Sequence, residues 1–462
     1  MDSTAIKALL KKHFDLDEQH SKVVVVGLGD TGVSVAYYLQ RMGFKFAICD
    51  SRNKPPVSEA FYQEMVDIPV FTGGFNEDAF RVATHLIVSP GVALNENAIR
   101  QAVAHGAKVL SDIDLFACSV NAPIIGISGS NGKSTVTTMV GEMLKASGKR
   151  VGVGGNIGIP ALDLLGSDVS EDNAAELYVL ELSSFQLERT SALNAVAATV
   201  LNVSADHLDR HPDMATYAKV KEHVYDGDGF MIINADDSVV SAMRREGRKT
   251  LTFSVHQKAD FYILQTSRGV FLMHDAQSLM PLAELPLEGR HNAANALAAL
   301  ALGFAVGLDT QAMCNALRKF RGLDHRMQRV AEIGGVTWIN DSKATNIGAC
   351  IAALQGYQNK VILIAGGDAK GADMNELTSV IKEKTKGVVL IGKDANLIDA
   401  ALNGCVPTYA ANTMTEAVKI AAGLARAGEC VLLSPACASL DQYKNYKDRG
   451  EQFKQAVLEL AI

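Results

Sequence analysis

Cysteine is sparse in this chain and forms no pattern. Seven cysteines (49, 118, 314, 350, 405, 430 and 437) are scattered over 462 residues, an odd number with no Cys-x-x-Cys pair. This excludes a disulfide framework and a cysteine-based zinc site, and it fits a reducing, cytoplasmic setting. A long apolar run is also missing. The longest such stretch, Ala293 to Leu308, is rich in Ala and Gly and interrupted by Asn295, so it predicts a packed helix and not a membrane span. Met1 to Phe14 carries lysines without an apolar segment, and no leader peptide is expected. Nor is there an excess of positive charge: the net charge of -7 argues against nucleic acid as a bulk partner, though not against local phosphate binding. Internal repeats and low-complexity tracts are absent. What is there, 48% hydrophobic and 21% charged residues, is the composition of a globular chain whose length suggests about three domains.

The most informative stretch is Gly-Ile-Ser-Gly-Ser-Asn-Gly-Lys-Ser-Thr, Gly126 to Thr135. Ala122 to Ile125 reads as a buried strand ahead of it, and Val136 to Ala146 as a helix behind it. Gly129, Ser130, Asn131 and Gly132 form a turn whose backbone N–H groups can converge on an anion at a helix N-terminus. Lys133 adds a point charge, and the Ser134 and Thr135 hydroxyls can reach a Mg²⁺ ion. The strict phosphate-loop spacing is not met, because Ile127 stands six before Lys133 and the nearest glycine is Gly126. A ligand-free glycine turn is the plain alternative, but strand, Gly-Lys-Ser-Thr and helix rarely coincide, so a variant phosphate loop is expected.

In front of this lies a first α/β unit, placed at residues 1–111. Val23 to Val26 ends in Gly27-Leu-Gly29-Asp30-Thr31-Gly32, and a helix (Val33 to Arg41) leads to a strand from Phe46 to Asp50. This is a dinucleotide fingerprint with its acidic residue, and taken alone it suggests NAD. What the pattern supports more generally is a nucleotide on a helix N-terminus, with Asp50, Ser51 or Arg52 near the sugar or base. A strand from Leu86 to Ser89 ends in Pro90-Gly91 at the sheet edge where ligands of open sheets sit. The middle region, 112–322, adds strands at Leu177–Leu182, Ala197–Val203 and Phe230–Ile233, β-like alternation from Val255 to Leu282, and a helix opening at Gly289 to Asn295. Arg321 to Leu323 reads as an exit linker. Strands at Val336–Ile339, Val361–Ala365, Val388–Ile391 and Val431–Leu433 then make a third doubly wound unit, 323–462. The fold class is α/β throughout: three mainly parallel sheets, Rossmann-like at both ends, with a phosphate-loop ATPase between.

Two carboxyl edges of the middle unit carry polar clusters, Glu181 in Glu-Leu-Ser-Ser-Phe-Gln and Asp206-His207-Leu-Asp209. Glu181 fits a Mg²⁺-organising acid, although a helix-capping Glu and a hydrogen-bonded loop His are the bland readings. In Tyr217 to Val224, Lys219 and Lys221 face different sides of a helix. A lysine beside a Mg²⁺ site is electrostatically odd, and spacing alone gives Lys221 no special role.

Taken together, Gly126 to Thr135, Gly154 to Gly158, Glu181 to Gln186, Asp206 to Asp209, Gly289 to Asn295 and Asp341 to Asn346 resemble the Mur ligases, the ATP-dependent amino-acid-adding enzymes of peptidoglycan precursor synthesis. The resemblance covers essentially the whole chain. Within the family, residues 340–346 and 434–442 resemble the D-glutamate-adding branch, and the Asp-Tyr-x-His-x-Pro type of segment found in other members at 341–346 is absent.

The resemblance implies an ATP-dependent ligase joining D-glutamate to UDP-N-acetylmuramoyl-L-alanine through an acyl phosphate, cytoplasmic, monomeric, and bound to neither nucleic acid nor membrane. It implies that the first unit holds the UDP-substrate, against Asp30, Thr31, Asp50, Ser51, Arg52 and Gly91, with Asn156 and His207 at the muramoyl-alanine end. ATP would lie on Gly129 to Thr135, with Asn292, Asn295, Arg326, Asp341 and Lys343 around it. Lys133, Glu181, His207 and Lys221 would be the catalytic set, and two Mg²⁺ ions would be held by Ser134, Glu181, His207 and Lys221. The family's lysine four after a tyrosine, here Lys221 after Tyr217, is carbamylated by CO₂, which turns a cation into an oxygen ligand. Lys370 and Ser439, with Thr345, lie just past strand ends; the resemblance assigns them to D-glutamate, with Leu440 and Tyr446 alongside. Related enzymes can carry phenylalanine at Tyr446, so stacking or packing, and no role of the hydroxyl, is expected of it.

Overall fold

In the computed structural model, residues 2–166, 174–206, 210–287 and 289–460 are described. Among them the strands form three sheets. The N-terminal sheet contains β1 (Val23–Val26), β2 (Phe46–Asp50), β3 (Val70–Thr72), β4 (His85–Val88) and β5 (Lys108–Leu110) in the order β3-β2-β1-β4-β5, all parallel. β1 is buried along its whole length, as a four-valine run between two parallel neighbours must be. The helix expected from Val33 already starts at Asp30, with Gly29 as its extended N-cap and Asp30 in the first turn, where its charge suits the helix dipole. Gly32 has no room for a side chain, since a Cβ there would lie 1.8 Å from the Gly27 carbonyl oxygen.

The middle sheet runs β14-β13-β12-β11-β10-β9-β6-β8-β7. Its parallel part is β6 (Ile124–Ser128), β7 (Val151–Gly155), β8 (Leu177–Glu181), β9 (Ala197–Val200), β10 (Phe230–Asn234), β11 (Thr250–Ser254) and the start of β12 (Phe261–Thr266). The alternation between 255 and 282 resolves into β12, β13 (Gly269–His274) and β14 (Gln277–Pro281), an antiparallel meander on one edge. The Ala-rich segment forms a 16-residue helix, Arg290–Ala305, packed in the core beside the helix Lys133–Ala146. Within it, Ala296 to Leu302 are 0% exposed, so the apolar run is explained by burial inside the protein. Among the described residues no helix is long and apolar enough to cross a membrane.

The C-terminal sheet is β15-β16-β20-β17-β18-β19: β15 (Gln328–Ile333) antiparallel to β16 (Val336–Asn340), then β20 (Cys430–Leu433), β17 (Val361–Gly366), β18 (Thr385–Ile391) and β19 (Thr408–Ala410) in parallel. It contains six strands where four were expected. β15 and β19 are half-exposed edge strands without the apolar runs that mark β17, β18 and β20. One apolar cluster extends from Leu10 and Leu39 through Phe116 to Leu180 and Val240, so the first and middle units share a core across their seam. The third unit has clusters of its own.

Candidate active site

β6, β8 and β9 are adjacent and parallel, so the residues that follow them meet at one edge. The phosphate loop leaves β6, Glu181 ends β8, and Leu201 to Asp206 follow β9. Gly132 has φ 84° and caps the helix Lys133–Ala146; a Cβ on it would come within 2.4 Å of Asn295 Oδ1, so glycine is required by both conformation and space. The loop is fastened by Ser130 N–H to the Asn202 carbonyl (2.9 Å), Asn131 N–H to Asn202 Oδ1 (2.8 Å) and Ser130 Oγ to the Ser204 carbonyl (3.0 Å). Lys133 Nζ folds back onto the Gly129 and Ser130 carbonyls at 2.8 and 2.9 Å. Burial holds its pKa below the ordinary lysine value.

A cavity of about 350 Å³ is lined by Asn131, Gly132, Thr135, Asn292, Asn295, Arg326, Asp341 and Lys343, all of them residues expected around ATP. Burial raises the Asp341 carboxyl to about 7, with Ser434 Oγ donating to it at 3.0 Å. Burial, with Arg326 and Lys133 nearby, lowers Lys343 to about 7. Arg326 crosses from the third unit to donate to Ser134 Oγ at 2.6 Å, a contact spanning 192 residues of sequence.

A second cavity of about 820 Å³ is lined by Asp30, Thr31, Asp50, Ser51, Arg52, Gly91 and Asn156, and also by Ser134, Glu181, Arg326, Lys343 and Tyr446. Asp50 is bound through both oxygens by Arg52 (Nε 2.9 Å, Nη2 2.6 Å), and its Oδ2 also accepts from Leu28 N–H at 2.6 Å. Burial alone would raise the Asp50 pKa; the Arg52 and backbone bonds outweigh it and hold it below the carboxylate norm. Arg52 is therefore partnered by Asp50 rather than unengaged at the rim.

Glu181 shows whether a divalent cation fits. It is 3% exposed; Oε1 accepts from Asn156 Nδ2 at 2.8 Å, and Oε2 is buried with no hydrogen-bond partner among the described residues. An orphaned carboxylate oxygen near a hydroxyl and a phosphate loop is a donor set for Mg²⁺. His207 lies outside the described residues. Among the described residues no group of three or more His, Cys, Asp or Glu side chains could hold a metal ion by itself, so a site here needs the Ser134 hydroxyl and further ligands. The two lysines of the helix Met214–Glu222 separate cleanly: Lys219 is exposed and pairs with Glu222 at 3.0 Å, whereas Lys221 is 1% exposed. Lys221 Nζ donates to the Gly129 carbonyl at 2.9 Å and sits 4.4 Å from the Tyr217 ring centroid, with no carboxylate in ion-pair distance among the described residues. Burial, and Lys133 next to it, push its pKa well below the ordinary value, toward the neutral amine.

The residues assigned to D-glutamate do not share one cavity. Thr345 and Lys370 line a small space of about 20 Å³ together with Asp206 and Asn346. Lys370 Nζ pairs there with Asp206 Oδ1 at 3.0 Å, and Asn346 Nδ2 donates to Asp206 Oδ2 at 3.0 Å. Tyr446 instead lines the 820 Å³ cavity, with Lys343 Nζ 4.1 Å from its ring centroid. Ser439 is buried, and Leu440 is 73% exposed. Sequence reasoning missed Arg449, completely buried, whose guanidinium ties the 341–346 segment to the 434–442 segment through Ser342 O (2.7 Å) and Cys437 O (3.1 Å). An arginine in an amphipathic helix gives no signal of this kind.

Three family models match in order along the chain: "Mur ligase MurD-like, N-terminal domain" at residues 21–111, "Mur ligase middle domain" at 127–303 and "Mur ligase, glutamate ligase domain" at 325–437. The chain is 52% identical over 443 residues to the UDP-N-acetylmuramoylalanine–D-glutamate ligase of Methylococcus capsulatus, covering 96% of this chain and 95% of that one. It is 49% identical to the enzyme of the same name from Nitrosococcus oceani, over 95% and 96% of the two chains. Among solved structures, the UDP-N-acetylmuramate-alanine ligase MurC of Thermotoga maritima superposes with a TM-score of 0.60 at 19% identity, over 96% of this chain and 100% of that one. A pseudomurein peptide ligase of Methanothermus fervidus gives 0.61 at 17%, with the same coverage; both show the fold alone. With a phosphate loop, a Rossmann-like neighbour and a third α/β unit closing on them, and with relatives of this identity along nearly the full length, the chain belongs to the Mur ligase family.

Proposed function

We propose that this chain is an ATP-dependent amide ligase that adds D-glutamate to UDP-N-acetylmuramoyl-L-alanine in peptidoglycan precursor synthesis. The observation that carries the reading is the meeting of two cavities at one phosphate loop. Arg326 and Lys343 line both, and Ser134 and Glu181 also line the larger one. A carboxylate placed in the larger cavity therefore faces the γ-phosphate of a nucleotide in the smaller one. The units act as residues 1–111 for the UDP-substrate, 112–322 for ATP and 323–462 for D-glutamate, in a monomeric cytoplasmic enzyme.

Carboxylate and triphosphate repel, and bound Mg²⁺ supplies the charge neutralisation that lets them approach. Ser134, Glu181, His207 and Lys221 would hold two such ions, Lys221 as the carbamate formed when CO₂ adds to its neutral amine with loss of one proton. A buried amine with no carboxylate in ion-pair distance among the described residues supports that reading of Lys221. Lys133 exchanges the Gly129 and Ser130 carbonyls for phosphate oxygens. The L-alanyl carboxylate attacks the γ-phosphorus, the bond to ADP breaks, and an acyl phosphate forms. The D-glutamate amine, losing a proton, attacks the acyl carbon, and inorganic phosphate leaves. Thr345, Lys370 and Ser439 orient the amino acid, so that closure of the third unit completes the site.

The deciding experiment is phosphate release from ATP with UDP-N-acetylmuramoyl-L-alanine, screening D-Glu, L-Glu, D-Ala and L-Lys. Release that depends on D-Glu is expected. Release only with another amino acid overturns the substrate, and no release with all substrates present leaves a nucleotide-binding protein without catalysis.

A further inference from the structure

Arg189 is buried at the seam between the first and middle units, just beyond the short helix Ser184–Leu187. Its side chain is 0% exposed, and Glu188 pairs with it at 3.2 Å. Nη1 donates to the carbonyls of Val88 (3.1 Å), Ser89 (2.8 Å) and Val92 (3.4 Å), and Nη2 to that of Val92 (3.3 Å). Half-buried Arg210 supplies the rest, reaching Pro90 O (3.4 Å), Gly91 O (3.4 Å) and Val92 O (2.6 Å), with Phe185 under its guanidinium at 4.9 Å. Every carbonyl from Val88 to Val92 thus faces one of two arginines carried by the middle unit, while the segment itself ends β4 of the first unit and lines the 820 Å³ cavity.

The consequence lies on the other side of each peptide. A trans peptide directs its N–H opposite its C=O. Ser89 N–H is used by the Val26 carbonyl, Val92 N–H by the Ser89 carbonyl, and Pro90 has none. Gly91 N–H makes no hydrogen bond to the described residues, and because Pro90 C=O is held by Arg210 this donor is turned away from the guanidiniums.

We propose that Arg189, together with Arg210, is a positioning residue for the sugar-nucleotide: Arg189 holds the Val88, Ser89 and Val92 carbonyls and Arg210 those of Pro90, Gly91 and Val92, and the pair fixes that segment and presents Gly91 N–H to an acceptor oxygen of the nucleotide. This rests on the sugar-nucleotide reading of the cavity. A guanidinium suits the task better than an ammonium, because its planar fork reaches several carbonyls at once without deprotonating.

The test uses the full-length enzyme. Arg189→Met is expected to raise the KM for UDP-N-acetylmuramoyl-L-alanine about tenfold, the scale of one charge-assisted contact, with kcat and the KM for ATP changed less than about twofold. Arg189→Lys recovers part of the loss. Glu188→Gln, which leaves the carbonyl contacts in place, stays near wild type. Arg210→Met, at a half-buried position, moves the same KM in the same direction and carries the test if Arg189→Met does not fold. An unchanged KM for the UDP-substrate in folded variants, or an equal loss in all kinetic parameters, overturns the proposal. Calorimetric titration of the wild type with the UDP-substrate separates the two readings: no binding there removes the sugar-nucleotide site itself, whereas normal wild-type binding with unaltered arginine variants removes only the positioning role.

Discussion

Lys370 is the residue whose replacement tests the amino acid site most sharply, because it already holds a carboxylate. Asp206 Oδ1 lies 3.0 Å from its Nζ, with the two side chains only 9% and 21% exposed. An incoming D-glutamate carboxylate must therefore share Lys370 with Asp206 or displace it. The charge-assisted bond lost in Lys370→Met is worth ~1.5–3 kcal/mol, which is about tenfold to 150-fold in kcat/KM for D-Glu. A second effect adds to this. Without Lys370, Asp206 keeps the Asn346 amide at 3.0 Å but loses the cation at its Oδ1, so more of its charge faces an approaching carboxylate. Two like charges about 4 Å apart at an effective dielectric near 20 repel by up to ~4 kcal/mol before screening and relaxation. The single variant should accordingly lose more than about a hundredfold. Asp206→Asn in the Lys370→Met background should restore at least about tenfold relative to Lys370→Met alone, ~1.4 kcal/mol, and the coupling is that gain corrected for the effect of Asp206→Asn in the wild type. Initial rates of phosphate release, with D-Glu varied at saturating ATP and UDP-substrate, give all four corners of the cycle. Additive losses, or an unchanged D-Glu kcat/KM in Lys370→Met, would refute the placement of the amino acid at this pair.

Lys221→Ala should nearly abolish turnover, with small carboxylic acids restoring part of it by supplying the missing oxygen ligand; an active Lys221→Ala, or a dead Lys219→Ala, would assign the wrong lysine. Arg52→Ala should raise the KM for the UDP-substrate about tenfold and leave that for ATP alone, and equal changes in both would move Arg52 out of the sugar-nucleotide site. Asp112 is buried, its Oδ1 has no hydrogen-bond partner among the described residues, and burial raises its carboxyl from 3.8 to about 6. A raised folded-state value contributes stability that is present below the unfolded value and lost as pH rises through about 6, a cost of roughly 3 kcal/mol at neutral pH. Asp112→Asn does not titrate, so its gain in Tm over wild type should grow between about pH 4.5 and 7.5; a gain constant across that range would contradict the assignment.

The central strands were legible because burial on both faces demands unbroken apolar runs, as in Val23–Val26 and Val361–Ala365. Short edge strands such as Val70–Thr72 and Thr408–Ala410 need no such run, and they were missed. The phosphate loop was readable from its glycines, since Gly132 has no side-chain alternative. The pairs that join the units were not. Lys370 with Asp206 spans 164 residues and Arg326 with Ser134 spans 192, and no periodicity reports which distant polar groups a closed arrangement will bring together. Lys221 lies between these extremes: its helix was readable, but its burial depends on Tyr217 and the Gly129 carbonyl, which only the folded chain supplies.

Arg326 has a thermodynamic consequence of its own. One guanidinium lines both cavities and touches the phosphate-loop hydroxyl, so a ligand in either cavity meets a group that also borders the other. Linkage then makes the effect reciprocal: whatever factor ATP contributes to the affinity for the UDP-substrate, the UDP-substrate must return to ATP. Any coupling that an inhibitor in one cavity exerts through Arg326 would be read as a changed apparent affinity at the other, without the inhibitor ever entering it.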